Sequence, residues 1–408
     1  MSDKASITPA KSLWKNRNFL LLWSGQFVSW VGTEISGIAL PLLVLALTGS
    51  PAQAGFIAGI RGVVYVVWAI PAGALIDRWD RRTVMVIANL GSGLAMGSIF
   101  LALLYNHLTI LQLYAACAIE GSFFVFANLS RFAAFPRVVS EDQISAAIAR
   151  TSIVDYIAVL LGPALGGIVY QTIGAMSSFL LDAISYLINS ISIFFINVPL
   201  QIERMKTSTS LKEEIREGMV WLWHEKTVRF LNILTAGGTI VSAGLYLLII
   251  IIAKQHQASS GVIGIILAVG GAGGIAGSLC ANKIYERFRF HHILIATTTL
   301  SFLIFTLYFF AYNIILLAAI TVALNVVTPV YEVTSFTYSV SVIPDRIRGR
   351  VTSVTRLVVL GCYSLGFFIM GTLLQWIGTT WSILVFSCLL LVLALMTVFN
   401  VSLRQIER

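Results

Sequence analysis

The sequence predicts an all-α integral membrane protein whose twelve transmembrane helices form two pseudo-symmetric six-helix bundles. Three observations carry that expectation: a series of long apolar runs, basic residues confined to one side of them, and glycines that recur at half the chain length. Charged residues make up 11% of the 408 and apolar ones 58%, with 32 glycines. A soluble globule of this composition would lack the polar surface to cover itself.

The apolar runs lie at about 18–47, 53–76, 83–105, 109–135, 144–171, 174–198, 228–253, 259–284, 290–311, 313–341, 349–374 and 378–402. Each supplies the ~20 residues a helix needs to cross a ~30 Å hydrocarbon layer. Lipid offers no partners to the backbone, so a spanning chain is a helix or a closed barrel. Unbroken runs fit helices, because barrel strands alternate over ~10 residues. The first run follows Lys4, Lys11, Lys15 and Arg17. It is too long for a signal-peptide core and Glu34 interrupts it, so it is expected to remain as the first span. Ser50-Pro51 before the second run reads as a cap followed by a proline, and Ser140-Glu-Asp-Gln143 before the fifth as a capping box. Residues 199–227 are the longest polar stretch. Within it Leu211, Ile215, Met219 and Leu222 recur at helical spacing, which predicts an amphipathic helix on the cytoplasmic surface. The expected units are an N-terminus (1–17), a bundle (18–198), the linker (199–227), a second bundle (228–402) and a C-terminus (403–408).

Of 27 Lys and Arg residues, Lys254 falls in an odd-numbered connection and Arg61 lies inside a run. The others cluster at the two termini and around the even-numbered connections. Loops with excess Lys and Arg stay in the cytoplasm, so both termini are expected there and the number of crossings must be even. The net charge of +9 then reflects topology and attraction to anionic lipid head groups. No soluble basic domain is present to bind nucleic acid. Cys117, Cys280, Cys362 and Cys388 lie inside spans without paired spacing, which argues against disulfides and a metal site. Gly270-Gly-Ala-Gly-Gly274 sits in an apolar run with no preceding strand and no Lys-Ser/Thr, so it reads as helix packing and not as a phosphate cradle. No cofactor and no enzymatic chemistry are expected.

Displacing the sequence by half its length puts Ala72-Gly73 on Ala276-Gly277, Gly162 on Gly366, Gly167 on Gly371, Gln171 on Gln375 and Gly174 on Gly378. Repeats of this kind place a substrate site between the halves near the bilayer midplane.

The second and third runs are joined by Gly73-Ala-Leu-Ile-Asp77-Arg78-Trp-Asp80-Arg81-Arg82, a tight basic turn. It resembles the loop signature of the major facilitator superfamily. The resemblance implies a conformational latch formed by Gly73, Asp77, Arg78, Arg81 and Arg82, in which the acid meets the start of the eleventh span. Asp80 stands where that signature prefers Gly, and Ala281 replaces the acid in the second half. The fifth run contains Gly162-Pro163-Ala-Leu-Gly166-Gly167, which looks like the Gly-Pro motif of exporters and antiporters in the same superfamily. Small residues let backbones approach and a proline can bend a helix. Ser12 to Phe19, Phe135-Pro136, Leu181-Asp182-Ala183 and Pro344-Asp-Arg-Ile-Arg348-Gly349-Arg350 are similar to the branch holding macrolide-efflux and enterobactin-exporter proteins. Such exporters often carry an Arg in the fourth span, at the position of Cys117 here. Arg61 then takes that role, or the coupling differs.

A charge at mid-bilayer costs about 2.5–3.5 kcal/mol on lenient scales, so ionisable residues there are functional candidates. They are Glu34, Arg61, Glu120, Asp155, Asp182, Glu332 and Arg356. Spans one, four, seven and ten line the cavity in the superfamily, which assigns Glu34, Glu120 and Glu332 to it. The expected order is Glu34 as the main proton and substrate carboxylate, Glu120 second and Glu332 third. Arg61 is a partner for Glu34 on the neighbouring span, in a coupling site or in a plain structural ion pair. Asp155 and Asp182 either share in coupling or hydrogen-bond a neighbouring helix.

The expected function is export of a hydrophobic or amphipathic small molecule by alternating access in exchange for protons. The chain would work as a monomer in the lipid bilayer of a bacterial cell membrane. A siderophore exporter of the same fold is the alternative, with Arg61, Arg131 and Arg356 as anion contacts. A membrane-embedded enzyme would need a nucleophile beside a base, and a sensor a signalling domain; neither pattern appears.

Overall fold

A computed structural model of the chain describes residues 13–76, 78–140, 143–201, 211–400 and 403, with only the backbone described at 70, 74, 145, 152, 154–156 and 211–215. Among the described residues the regular structure is helical throughout. The first half contains α1 (Arg17–Thr48), α2 (Pro51–Ile76), α3 (Arg81–Leu104), α4 (Ile110–Val138), α5 (Ile144–Ile173) and α6 (Ala175–Phe194). A linker helix α7 (Leu211–His224) leads to α8 (Lys226–Gln255), α9 (Ser260–Arg287), α10 (Phe290–Thr306), α11 (Ile314–Val342), α12 (Asp345–Trp376) and α13 (Gly378–Phe399). Among the described residues eleven helices are long and apolar enough to cross a membrane, with a shorter apolar stretch, Ile157–Ile173, inside α5. At ~1.5 Å per residue the 30 residues of α5 also reach across the hydrocarbon layer. The chain is a multi-pass membrane protein.

Local chemistry sets the helix starts. Side chains of Asn16, Asp80, Thr109, Ser259 and Asn313 accept the backbone N–H three residues on, at the starts of α1, α3, α4, α9 and α11. Ser50 does the same for Gln53 before the proline that begins α2. The expected capping box at the start of α5 is not what the described residues form. Gln143 is the capping position and makes no side-chain cap; its N–H donates to the Ser140 carbonyl. Glu141 and Asp142 lie outside the described residues.

Large apolar side chains point outward, as Leu94 and Leu279 do at 74% and 75% exposure. In water this would be an aggregating surface; in lipid it is the solvated one. Tyr105, Tyr312, Trp376 and Trp381 stand exposed at the end away from the basic turns, and Trp14, Trp79 and Trp223 at the basic end. Amphipathic rings favour the head-group level, so these two bands mark both interfaces.

The two halves pair their helices in the same way: α1 meets α5 and α6 as α8 meets α12 and α13, and α3 meets α4 as α10 meets α11. Gly174 and Gly378, which coincide under the half-length displacement, both adopt positive φ (88° and 75°) at the turns into α6 and α13. A side chain is strained there and glycine is not. Between the halves, α5 meets α9 and α2 meets α12. A Cβ on Gly167 would run into the Ser260 carbonyl and sit 3.1 Å from Gly264 Cα; one on Gly371 would sit 2.8 Å from the Pro51 carbonyl and 3.0 Å from Gly55 Cα. Ser260 and Pro51 are the first residues of α9 and α2, so these are equivalent contacts. Both lie at the end opposite the basic turns. One buried apolar cluster spans both halves, with Ile38, Leu42 and Val44 of α1 and Leu247, Leu248 and Ile250 of α8 among its members.

The linker segment forms the expected helix, but its packed face is only partly the expected one. Its packed face runs through Gly218 and Leu222: a Cβ at Gly218 would lie 2.8 Å from the Arg350 carbonyl, and Leu222 is buried with Ile343, Ile347 and Val351. Glu217 forms ion pairs with Arg346 (3.2 Å) and Arg350. Met219 is exposed, and the side chains of Leu211 and Ile215 are outside those described. Glycine wins over the larger side chain because only it lets α7 lie against the backbone of α12.

Candidate functional site

The first half encloses a polar network inside α1, α2, α4 and α6. Arg61 of α2 gives Nε to Glu120 Oε2 at 3.1 Å and a second, shorter bond from Nη2 to Oε1. This two-point geometry is the strong form of an Arg–carboxylate pair. Tyr186 of α6 donates to the same carboxylate at 2.6 Å, and the Thr33 hydroxyl of α1 lies 3.0 Å from the Tyr186 oxygen. Asp182, one helical turn before Tyr186, accepts from Ser36 at 2.5 Å and from Ser185 at 3.4 Å. Glu120 is 3% exposed and Asp182 0%. Arg61 also lies over the Phe124 ring, 4.9 Å from its centroid. It passes Gly121, where an added Cβ would be 3.4 Å from Arg61 Cα. Arg61 thereby brings a cation beside Cys117, where the resemblance leads one to expect it from the fourth span itself.

The expected pairing of Arg61 with Glu34 is corrected: the partner is Glu120. Glu34 of α1 remains within electrostatic range of Arg61. Its carboxylate makes no hydrogen bond or ion pair among the described residues. It lies on the seam between the halves, close enough to Tyr246 of α8 and Tyr363 of α12 to act on both electrostatically. Those rings flank Phe367, at 6.1 and 5.1 Å between centroids, and form an aromatic wall of the second half within reach of the Glu34 charge. Gly162 and Gly166 make the room: a Cβ at 162 would lie 2.8 Å from Glu34 Cγ, and one at 166 2.9 Å from Ile35 Cα. Pro163 presents its carbonyl to Gly264 of α9, and Gly167 abuts the same helix. One short motif thus seats the acid and forms the contact between halves.

The second half has no counterpart to this charge. Gly366 of α12 stands to Ala243 of α8 as Gly162 stands to Glu34, with 2.9 Å between an added Cβ and the Ala243 Cβ. Glu332 of α11 is exposed to a cavity of about 330 Å³ among α8, α10, α11, α12 and α13. Arg356 of α12 is exposed and lies across the seam over Tyr65 (5.6 Å) and Phe132 (5.8 Å) of the first half. Glu332 and Arg356 do not pair with each other.

In the expected latch loop, Arg81 donates to the Ala133 carbonyl at 2.7 Å and the Leu200 carbonyl at 3.3 Å, and Arg82 to the Phe194 carbonyl. These bonds stay within the first half and brace α3 against α4 and the end of α6. Asp80 accepts from the Thr83 N–H and hydroxyl at 2.9 and 2.7 Å, which accounts for an acid where the signature prefers Gly. Arg78 is exposed and Gly73 has open space around its Cβ direction. Asp77 and the Asp155 side chain lie outside the described residues.

Tyr186, Thr33 and Ser36 escaped the sequence reading of the site. The signal was there: Asp182 and Tyr186 are four residues apart on α6 and share a face.

Comparison with known proteins agrees with this architecture. The transmembrane secretion effector family model matches residues 8–408. The chain is 25% identical to the uncharacterized MFS-type transporter YfiS of Bacillus subtilis (strain 168), covering 98% of this chain and 97% of that one. It is 24% identical to the multidrug efflux pump Tap of Mycolicibacterium fortuitum over 96% and 98% of the two chains. Its fold matches the crystal structure of a bacterial homologue of the human lysosomal transporter Spinster, with a TM-score of 0.77, 14% identity and coverage of 95% and 97%. A transporter of this kind makes and breaks no covalent bonds and is not an enzyme. The chain belongs to the transmembrane secretion effector family of major facilitator superfamily transporters.

Proposed function

We propose that the protein is a secondary active exporter that moves a hydrophobic or amphipathic small molecule out of a bacterial cell in exchange for protons. The bundles 18–198 and 228–402 are the two bodies that rock, with the linker 199–227 and both termini in the cytoplasm. The observation that carries this reading is the contrast between two acids of the first half. Glu120 is locked by Arg61 and Tyr186, whereas Glu34 sits unpaired on the seam. A carboxylate that alternates between partners and open water must stand where the halves separate, and Glu34 does. The glycine contacts of α5 with α9 and of α2 with α12 hold the bundles together at the end away from the basic turns. In this reading the chain rests open toward the cytoplasm, where substrate enters. Binding and loss of a proton favour the outward state, and reprotonation from outside resets the cycle. The low dielectric around Arg61 and Glu120 keeps their attraction strong, so the pair serves as the fixed field against which Glu34 exchanges its proton.

Full-length similarity to a multidrug efflux pump supports the direction of transport. A large anionic siderophore fits less well, because Arg61 is already neutralised by Glu120. Uptake into inverted vesicles with and without a pH gradient tests the proposal, comparing wild type with Glu34→Gln and Glu120→Gln. A gradient without effect on wild type would rule out proton exchange. Normal uptake by Glu34→Gln together with loss in Glu120→Gln would move the central role to the buried pair.

A further inference from the structure

The cavity beside Glu332 has a closed twin. In the first half the space among α1, α3, α4 and α6 shrinks to about 20 Å³. There Trp30 and Phe124 meet edge to face, 6.2 Å between centroids, and fill it. Trp30 lies as far into α1 as Thr239 does into α8, and Phe124 as far into α4 as Thr328 into α11. Two aromatic rings in one half are thus two threonines in the other, and the space they vacate is the cavity of about 330 Å³. A volume of this size is in the range of small-molecule sites.

The lining has one chemical bias. Thr239, Thr298 and Thr328 each donate their hydroxyl proton to the carbonyl four residues earlier, leaving oxygen lone pairs for a ligand. Asn325 gives one N–H to the Thr321 carbonyl at 2.8 Å, leaving Oδ1 and its second N–H. Glu332 adds a carboxylate, and among the described residues no Lys or Arg lines the space. The walls between these acceptors are apolar, Leu234, Leu324 and Leu390 among them. Ser242, Ser301 and Tyr363 add hydroxyls that can donate or accept, so the bias lies in the charge: the one ionic group of the described lining is a carboxylate, and the site attracts a cation. Tyr363 lines the cavity and lies within electrostatic range of Glu34, so an occupant here would touch a ring that the Glu34 charge reaches.

We propose that this second-half cavity is the binding site for an amphipathic organic cation bearing N–H donors, with Glu332 as its counter-charge. The proposal rests on the exporter reading and names its substrate class. Loading the second bundle while the first holds the acid puts substrate and proton on opposite sides of the seam.

The test is equilibrium binding of ethidium, a flat cation with two amino groups, to the purified full chain in detergent, read by its fluorescence. Wild type is expected to bind saturably. Thr239→Trp with Thr328→Phe, copying the residues of the first half, is expected to abolish binding, and Glu332→Gln to weaken it at least tenfold with an unchanged melting temperature. Thr298→Val, a smaller change, should weaken it severalfold and guards against misfolding of the double variant. Absence of saturable binding by wild type, or unchanged binding by Glu332→Gln and by a folded double variant, overturns the site. The exporter reading fails separately, if inverted vesicles of wild type accumulate neither ethidium nor uncharged amphipathic dyes.

Discussion

Gly162 of α5 lies against the side chain of Glu34 of α1, so closely that a methyl group at 162 would overlap Glu34 Cβ and come within 2.8 Å of its Cγ. Gly162→Ala must therefore push α1 from α5 or turn the acid away from Tyr246 and Tyr363. Overpacking of this kind typically costs about 1–3 kcal/mol. The expected outcome is a lower melting temperature in detergent and at least a tenfold drop in proton-driven uptake. Gly37, three residues from Glu34 with nothing near its Cβ direction, is the control, and Gly37→Ala should behave as wild type in both assays.

The Arg61–Glu120 pair predicts a non-additive pattern. Removing one partner strands the other in an apolar bundle, a loss of about 3–5 kcal/mol for fully buried pairs. Arg61→Met strands Glu120, which is 3% exposed, and is expected near the upper end of that range. Glu120→Leu leaves Arg61, 38% exposed and within reach of water, and is expected nearer the lower end even though it also orphans Tyr186. Replacing both by apolar residues should recover most of the stability, since no charge is then left unpaired. Transport should stay lost in all three. Melting curves of the two single variants and the double variant provide the cycle, and strictly additive losses would contradict the pairing.

At the basic turn, burial raises the affinity of Asp80 for a proton, but the bonds from Thr83 and the charge of Arg82 outweigh it and hold the carboxyl below its usual range. A depressed carboxyl contributes stability above its unfolded-state value and loses it as the pH falls through the folded one. Acid below about pH 4 should therefore loosen the start of α3. Asp80→Ala, expected to cost about 0.5–2 kcal/mol as a lost cap, should flatten that acid dependence. Hydrogen exchange at residues 81–84 at pH 6 and at pH 3.5 checks both statements.

How far the sequence could be read depended on the range of the interaction involved. Twelve spans follow from runs of local hydropathy, and the matched glycines at 174 and 378 reappear as two positive-φ turns. The choice of partner for Arg61 was not legible, because Glu34 and Glu120 stand on different helices and only the rotation of α2 decides between them. The equivalence of Glu34 with Ala243 was hidden for another reason. The half-length displacement fits α4 onto α11, which begin at Ile110 and Ile314, but α1 and α8 begin at Arg17 and Lys226 and are out of that register. The open cavity of the second half is visible only once that offset is known, as Thr239 then falls on Trp30.

The pseudo-symmetry of the seam yields the last prediction. Gly167 meets the start of α9, and Gly371 meets the start of α2, in equivalent contacts that leave no room for a side chain. If these two contacts together hold the end away from the basic turns shut, a valine at either position should pry it open and favour the opposite state of the cycle. The readout is a single cysteine at Val44, fully buried in the cluster that spans both halves, in a chain whose four native cysteines have been replaced. Maleimide labelling from that end should rise severalfold in both Gly167→Val and Gly371→Val, while uptake falls at least tenfold in each. Gly238→Val, with nothing within 4 Å of its Cβ direction, should leave the labelling unchanged. A large rise with one valine and none with the other would mean that one seam alone closes that end, and the two-fold relation between the bundles would then describe their shape without describing their motion.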